Sequence, residues 1–404
     1  MDQITSDIRD MYEKFPYPSG KPTNRLGSDV DLILSYGALA PAPSGTRQVL
    51  DAGCGRALGL IGAATLQPDV QFTGIDINRV GLADSQAAIN QRGLKNIRLQ
   101  EVDLMSLAGL ETPPGGYDVI HSSGVIHHLS DPAASLALLR ENLAPHGLVN
   151  LMVYGRNGRD PLLKTAAAVE VLFPAETPLV ERVALARQVA IFGSEHLLKG
   201  TRFTDTGQVD DVELVDRVLN ANETTYDIAG LWQMVDAAGL RFVRWAEPLD
   251  WQTELQVPDS DLRDHLLTLS RVEQYQFLEM VLCPPSLEVM LAHKDNAPRP
   301  DLGLADIADS VFRVSPEITI ATSVRHTPAG TRTETLELKV RNQDSVPIAT
   351  GPTAATLLAM REWGDDLPGR DLQAKLAGLG LEAADIQAVI LELLRVDVLY
   401  RPHR

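Results

Sequence analysis

Between Gln48 and Tyr154 short apolar runs alternate with helical patterns, and three of those runs end on or just before an acid: Asp51, Asp76 and Asp103. Alternation of this kind predicts parallel strands joined by crossover helices, a doubly wound sheet, because each strand needs a helix to return the chain to the same end. Strands are predicted at 48–51, 71–77, 97–102, 117–121 and 148–154, each beside turn-forming or acidic residues. Helix punctuation agrees. Asn78 can cap a helix that stops at Gly93, and Asp131 followed by Pro132 opens one that stops before Pro145.

After Tyr154 the alternation breaks, and 156–222 reads as a helical insertion that should cover something, since so long a structureless connection is rare inside a domain. The pattern resumes at Asp227, where Ile228, Leu231, Trp232 and Val235 share one helical face and Gly239 ends the helix before a strand at 240–245. Residues 258–282 read as helical, 287–294 as a strand, and the Pro-rich stretch around 296–300 as a linker. Beyond it come a hairpin (335–341 with 346–350), a helix ending at Gly364, a short helix near 371–376 and a final helix striped by Ile386, Val389, Ile390, Leu393 and Leu394.

The chain has 404 residues, enough for a large core plus accessory modules. Its 54 acids against 36 Lys and Arg give a net charge of −18, which disfavours nucleic acid as the main partner, because that binding is dominated by cationic side chains. Two cysteines, Cys54 and Cys283, build neither a disulfide framework nor a Cys-rich zinc site. The acidic start and the lack of a long apolar run lead us to expect a cytoplasmic protein with no membrane partner.

The chemistry concentrates where the first strand, ending in Asp51, runs into the bend Gly53-Cys54-Gly55 and then a helix. Glycines there let a ligand touch backbone. A dinucleotide site wants Gly or Ala in the third glycine place, which Leu58 occupies, and Asp51 repels a pyrophosphate while suiting a cationic amino acid head. Asp76, followed by Ile77, can accept both hydroxyls of a ribose, and Asp103, followed by Leu104, can accept an exocyclic amine.

Asp51/Gly53/Gly55, Asp76 and Asp103 in this order, with Tyr117-Asp-Val-Ile-His121, the Gly124 to Pro132 stretch and Leu143 to Gly147, resemble the class I S-adenosylmethionine-dependent methyltransferases over about 45–155 and 225–247. The N-terminal Met11 to Pro18 segment and the 226–242 run resemble a bacterial subgroup of that family, some of whose members with a winged-helix-like tail methylate protein lysines. The resemblance implies an α/β fold: a doubly wound Rossmann-like methyltransferase sheet with a helical insertion and a C-terminal α+β winged-helix-like module. The implied domains are an N-terminal lid (1–25), the cofactor domain (26–155 and 223–248), the insertion (156–222), a helical connector (249–296) and the C-terminal module (297–404).

The cofactor implied is S-adenosyl-L-methionine, held by Asp51, Gly53, Cys54 through its backbone, Gly55, Asp76, Ile77, Asp103, Leu104 and Ser122, with no metal. His127, His128 and Tyr17 are the catalytic candidates. A histidine can take a proton at neutral pH, but both histidines are read as pocket wall or cap ahead of base; adjacent helical positions do not share a face, so they make no metal pair. Tyr12 and Tyr17 fit a lid over the sulfonium or simple packing. Three function classes stay open: methylation of a small molecule, methylation of a protein or peptide side chain docked by the tail, and cofactor sensing by a regulator. A homodimer is open as well.

Overall fold

The computed structural model describes residues 2–20, 30–36, 45–173, 177–296, 302–315, 318–328, 330–340, 346–348, 366–395 and 397–402. Contacts divide the chain into two compact units, residues 1–27 with 44–297 and residues 28–43 with 298–404. Residues 28–43, expected within the cofactor domain, therefore cluster with the C-terminal unit, where the helix Val30–Tyr36 lies against the strand Leu399–Tyr400.

The first unit is built on seven strands: β1 (Gln48–Ala52), β2 (Gln71–Asp76), β3 (Ile97–Glu101), β4 (Tyr117–Ser123), β5 (Leu143–Tyr154), β6 (Leu240–Trp245) and β7 (Ser286–His293). Their order is β3-β2-β1-β4-β5-β7-β6, with β1 to β5 mutually parallel and β7 antiparallel to both its neighbours. β1 and β4 are buried along nearly their whole length, as apolar central strands covered on both faces should be, while β3 at one edge is largely half-exposed. β7 is a correction. The strand itself was expected at 287–294, inside a segment expected to be mainly helical; its place in the sheet, between β5 and β6, was not. Between β1 and β4 the winding reverses, opening a crevice at their carboxyl ends.

Local signals place the helices. Asn78 caps Arg79–Arg92 through the Gly81 amide (3.0 Å), and Gly93 ends it at φ +68°. Asp131 caps Pro132–Glu141. The insertion carries helices Arg156–Glu170, Leu179–Ser194 and Asp211–Val218 around a core of its own, which includes Leu162, Val183, Leu198 and Leu214 and to which the N-terminal helix Gln3–Lys14 adds Met11. No helix among the described residues is long and apolar enough to cross a membrane.

In the second unit the strand Val311–Val314 pairs with Leu367–Pro368 and Leu399–Tyr400, flanked by helices Leu304–Ala308, Gly369–Gly378 and Ala383–Arg395. A separate antiparallel sheet joins Ile318–Thr327, Gly330–Val340 and Val346–Ile348. Its first strand was absent from the sequence reading, and the helix expected to end at Gly364 lies outside the described residues.

Gly155, which opens the insertion, sits where an added Cβ would lie 2.2 Å from the Pro284 carbonyl oxygen. Backbone cannot yield as a side chain can, so Gly155→Ala should destabilise the unit by about 1–3 kcal/mol, read as a lowered midpoint in urea denaturation.

Candidate active site

The crevice between β1 and β4 continues into a cavity lined by the strand tips, the glycine bend and the N-terminal helix. Asp51 and His121 are register partners across the two strands and both reach the cavity, as do Gly53, Cys54, Gly55, Asp76, Ile77, Asp103 and Leu104. Gly53 (φ +85°) and Gly55 (φ +54°) hold the bend in the left-handed region, and a side chain at Gly53 would run into Val125 at 2.4 Å. The bend is tied to the neighbouring strand: the Gly53 and Cys54 amides donate to Ile75 O, and the Gly55 amide donates to Asp76 Oδ2 at 2.7 Å. Asp76 Oδ1 accepts the Asn78 amide at 2.8 Å, and Asp103 Oδ1 accepts the Met105 amide at 2.8 Å.

Electrostatics set this cavity apart. Among the described residues it is lined by three carboxylates and by no lysine or arginine. Burial, then the nearby Asp76 charge, raises Asp51 to about 7, and burial also raises Asp76 against the amides that stabilise its charge. The Cys54 thiol is pushed well up by burial, so it stays neutral and offers backbone. Such a set accepts hydrogen bonds from hydroxyls and amines and welcomes positive charge.

Opposite the strand tips stands a second wall. The N-terminal helix is fastened over the cavity by hydrogen bonds at several points: Asn78 Nδ2 donates to Tyr12 O (3.0 Å), the Arg56 amide to Tyr17 O (3.2 Å), Ser19 Oγ to Asp210 Oδ2 (2.6 Å) and Ser130 Oγ to Asp2 Oδ2 (2.6 Å). Tyr12 and Tyr17 line the cavity from the N-terminal segment, and His128 lines it from the turn after β4. His128 is 3% exposed, and burial lowers it to about 4, so it is neutral at pH 7. Its Nδ1 lies 2.6 Å from Asn222 O, a carbonyl that can only accept, so Nδ1 carries the proton and Nε2 keeps a lone pair without a partner.

Two expected residues lie elsewhere. Ser122 is fully buried with its hydroxyl donated to Ala52 O (3.0 Å), and its neighbour Ser123 lines the cavity instead. His127 is fully buried behind the wall, its ring 3.8 Å from that of Tyr154 and 4.3 Å from that of His128. Sequence reasoning missed the layer behind. Tyr12 Oη donates to Asp216 Oδ1 (2.8 Å), and Arg159 gives Nε and Nη2 to Glu223 (2.7 and 2.5 Å) with its guanidinium 3.5 Å over the Tyr154 ring. Among the described residues no three His, Cys, Asp or Glu side chains converge as a metal ion needs.

Comparison with known proteins agrees with the geometry. Residues 44–159 match the methyltransferase domain family. An uncharacterized protein of Synechococcus sp. is 27% identical over 293 residues, 69% of either chain. The ubiquinone biosynthesis O-methyltransferase of Paracidovorax citrulli is 30% identical over 131 residues, 32% of this chain and 53% of that one, so the chain spans about half the length of that relative. The structure of PKMT2 from Rickettsia typhi in complex with AdoHcy shares the fold, with a TM-score of 0.67 at 16% identity over 96% of this chain and 77% of that one.

The raised Asp51 fixes a pH dependence. Its folded value of about 7 lies above the unfolded value of 3.8, so the native chain keeps a proton that the unfolded chain releases, and stability falls as pH rises through that window. Asp51→Asn removes this loss. In urea titrations without ligand the variant should match the native protein near pH 4 and exceed it by about 1–4 kcal/mol at pH 8; parallel pH curves for the two proteins would contradict the assignment.

Proposed function

We propose, from the premise that residues 44–159 form a methyltransferase domain of the class I, S-adenosylmethionine-dependent type, that this chain methylates a small-molecule acceptor held between the strand-tip acids and the N-terminal helix. The observation that carries the reading is the cavity's lining, which joins three carboxylates to His128 and two tyrosines. S-adenosylmethionine supplies a methyl on a cationic sulfur, which leaves as a neutral thioether when an acceptor lone pair takes the carbon.

The residues present fit that group. Asp51 would take the ammonium, Asp76 would accept the ribose hydroxyls with lone pairs its amide partners leave over, and Asp103 would accept the adenine amine. Gly53 and Gly55 let the ligand approach backbone. On the acceptor side His128 would accept a hydrogen bond from the incoming group and so orient its lone pair. The N-terminal helix keeps out water. Alignment dominates such a reaction, since well-oriented pairs reach effective molarities on the order of 10⁵ to 10⁸ M.

A second reading, methylation of a protein side chain, draws support from the antiparallel sheet of the second unit, an element of the kind that binds extended peptides by strand addition.

Calorimetry should show S-adenosylmethionine binding that weakens at least about tenfold, or 1.4 kcal/mol, in Asp76→Ala. With tritium on the cofactor methyl, label should pass into the low-mass fraction of an extract of the source cells. Label in the protein fraction alone would favour the second reading, and absence of cofactor binding would remove both. His128→Ala should lower turnover about 10²-fold or more with cofactor affinity held within about threefold.

A further inference from the structure

We propose that Tyr12, with Asp216 behind it, makes the acceptor side selective for a cationic amine; this rests on the reading that the wall opposite the strand tips receives the acceptor. Tyr12 lines the cavity, but its hydroxyl is turned out of it, donating to Asp216 Oδ1 at 2.8 Å and receiving Asn220 Nδ2 at 3.3 Å. What Tyr12 offers the cavity is its ring. The Tyr17 ring stands 6.3 Å away at 43°, so two aromatic rings stand together among residues that line the cavity, as His128 does. Aromatic faces attract ammonium groups, more strongly when water is excluded.

The charge behind the wall points the same way. Asp216 is 4% exposed and has Tyr12 as its hydrogen-bond partner. The neighbouring cations are committed elsewhere: Arg159 to Glu223, and Arg217 to Asp205 and Glu213. Two guanidinium groups thus face four carboxylates. No lysine or arginine lines the cavity among the described residues, so an anionic acceptor meets no partner there and an ammonium meets a ring backed by a carboxylate. The bound ammonium has no lone pair, so one N–H proton must pass to solvent before the nitrogen can take the methyl.

The test is calorimetric titration of the protein saturated with S-adenosylhomocysteine, using n-butylammonium, n-butanol and butyrate as isosteric probes. Butylammonium should bind at least tenfold more tightly than butanol, and butyrate should not bind. Asp216→Asn should bring the ammonium-to-alcohol ratio near one. Tyr12→Phe, which keeps the ring and drops the hydrogen bond, should lower it several-fold, and serves if the first variant does not fold. Alcohol or butyrate binding as tightly as the ammonium, no ammonium binding, or an unchanged ratio in the variants overturns the proposal. Failure of S-adenosylhomocysteine itself to bind is a different result and counts against the cofactor reading.

Discussion

Taking a carboxylate out of water without a bonded cation is among the most costly things a fold can do, and this chain does it at Asp51 and Asp216, and in part at the half-buried Asp76. The response differs at each. Asp76 is relieved by backbone amides from Gly55 and Asn78, so its charge is held by the same bend that forms the ligand cradle. Asp51 has no such relief, and burial pushes it toward the protonated form. Asp216, raised to about 6 by burial, leans on the Tyr12 hydroxyl. A cationic ligand is the missing partner that a cavity so built calls for, and the fold carries the strain at the site where the ligand's charge would relieve it.

The second wall follows from the first. A cavity with acids at its floor must be shielded, or water would screen the charges that give it selectivity. The N-terminal segment does this by fastening to three places far apart in sequence: the glycine bend through Tyr17 O, the start of the crossover helix Arg79–Arg92 through Asn78, and the insertion through Asp210 and Asp216. Met11 adds an apolar anchor in the insertion's core. The first helix and the insertion therefore act as one cover.

Much of this was readable from the amino acids alone. The strand tips Asp51, Asp76 and Asp103 could be placed because strand and helix periods differ and because glycine, Asn78 and Asp131 mark the boundaries by their backbone chemistry. Ser122 and His127 could not be placed, since along a strand or a tight turn one residue of error turns a side chain to the other face. Asp216 left a faint trace: a lone acid among Leu214, Val215 and Val218 on the buried face of its helix. Arg159 and Glu223 left none, because the pairing of residues 64 positions apart depends on how the insertion folds.

The least legible element turns out to govern the acceptor wall. β7 reads in sequence as an isolated apolar run after a helical segment, with nothing to say that it re-enters the sheet beside β5. Its entry brings Cys283 to Ser286 against the point where β5 turns into the insertion: the Gly155 amide donates to Pro285 O (2.9 Å), and a Cβ at Gly158 would lie 2.4 Å from Cys283 O. Two glycines three residues apart are thus required by backbone approaching backbone. Arg159 follows directly, and its fixed position holds the Tyr154 ring against His127, which in turn packs on His128. The antiparallel seventh strand therefore acts as a jig, and the packing behind His128 depends on the contact of Gly155 with Pro285, some 130 residues downstream of that glycine.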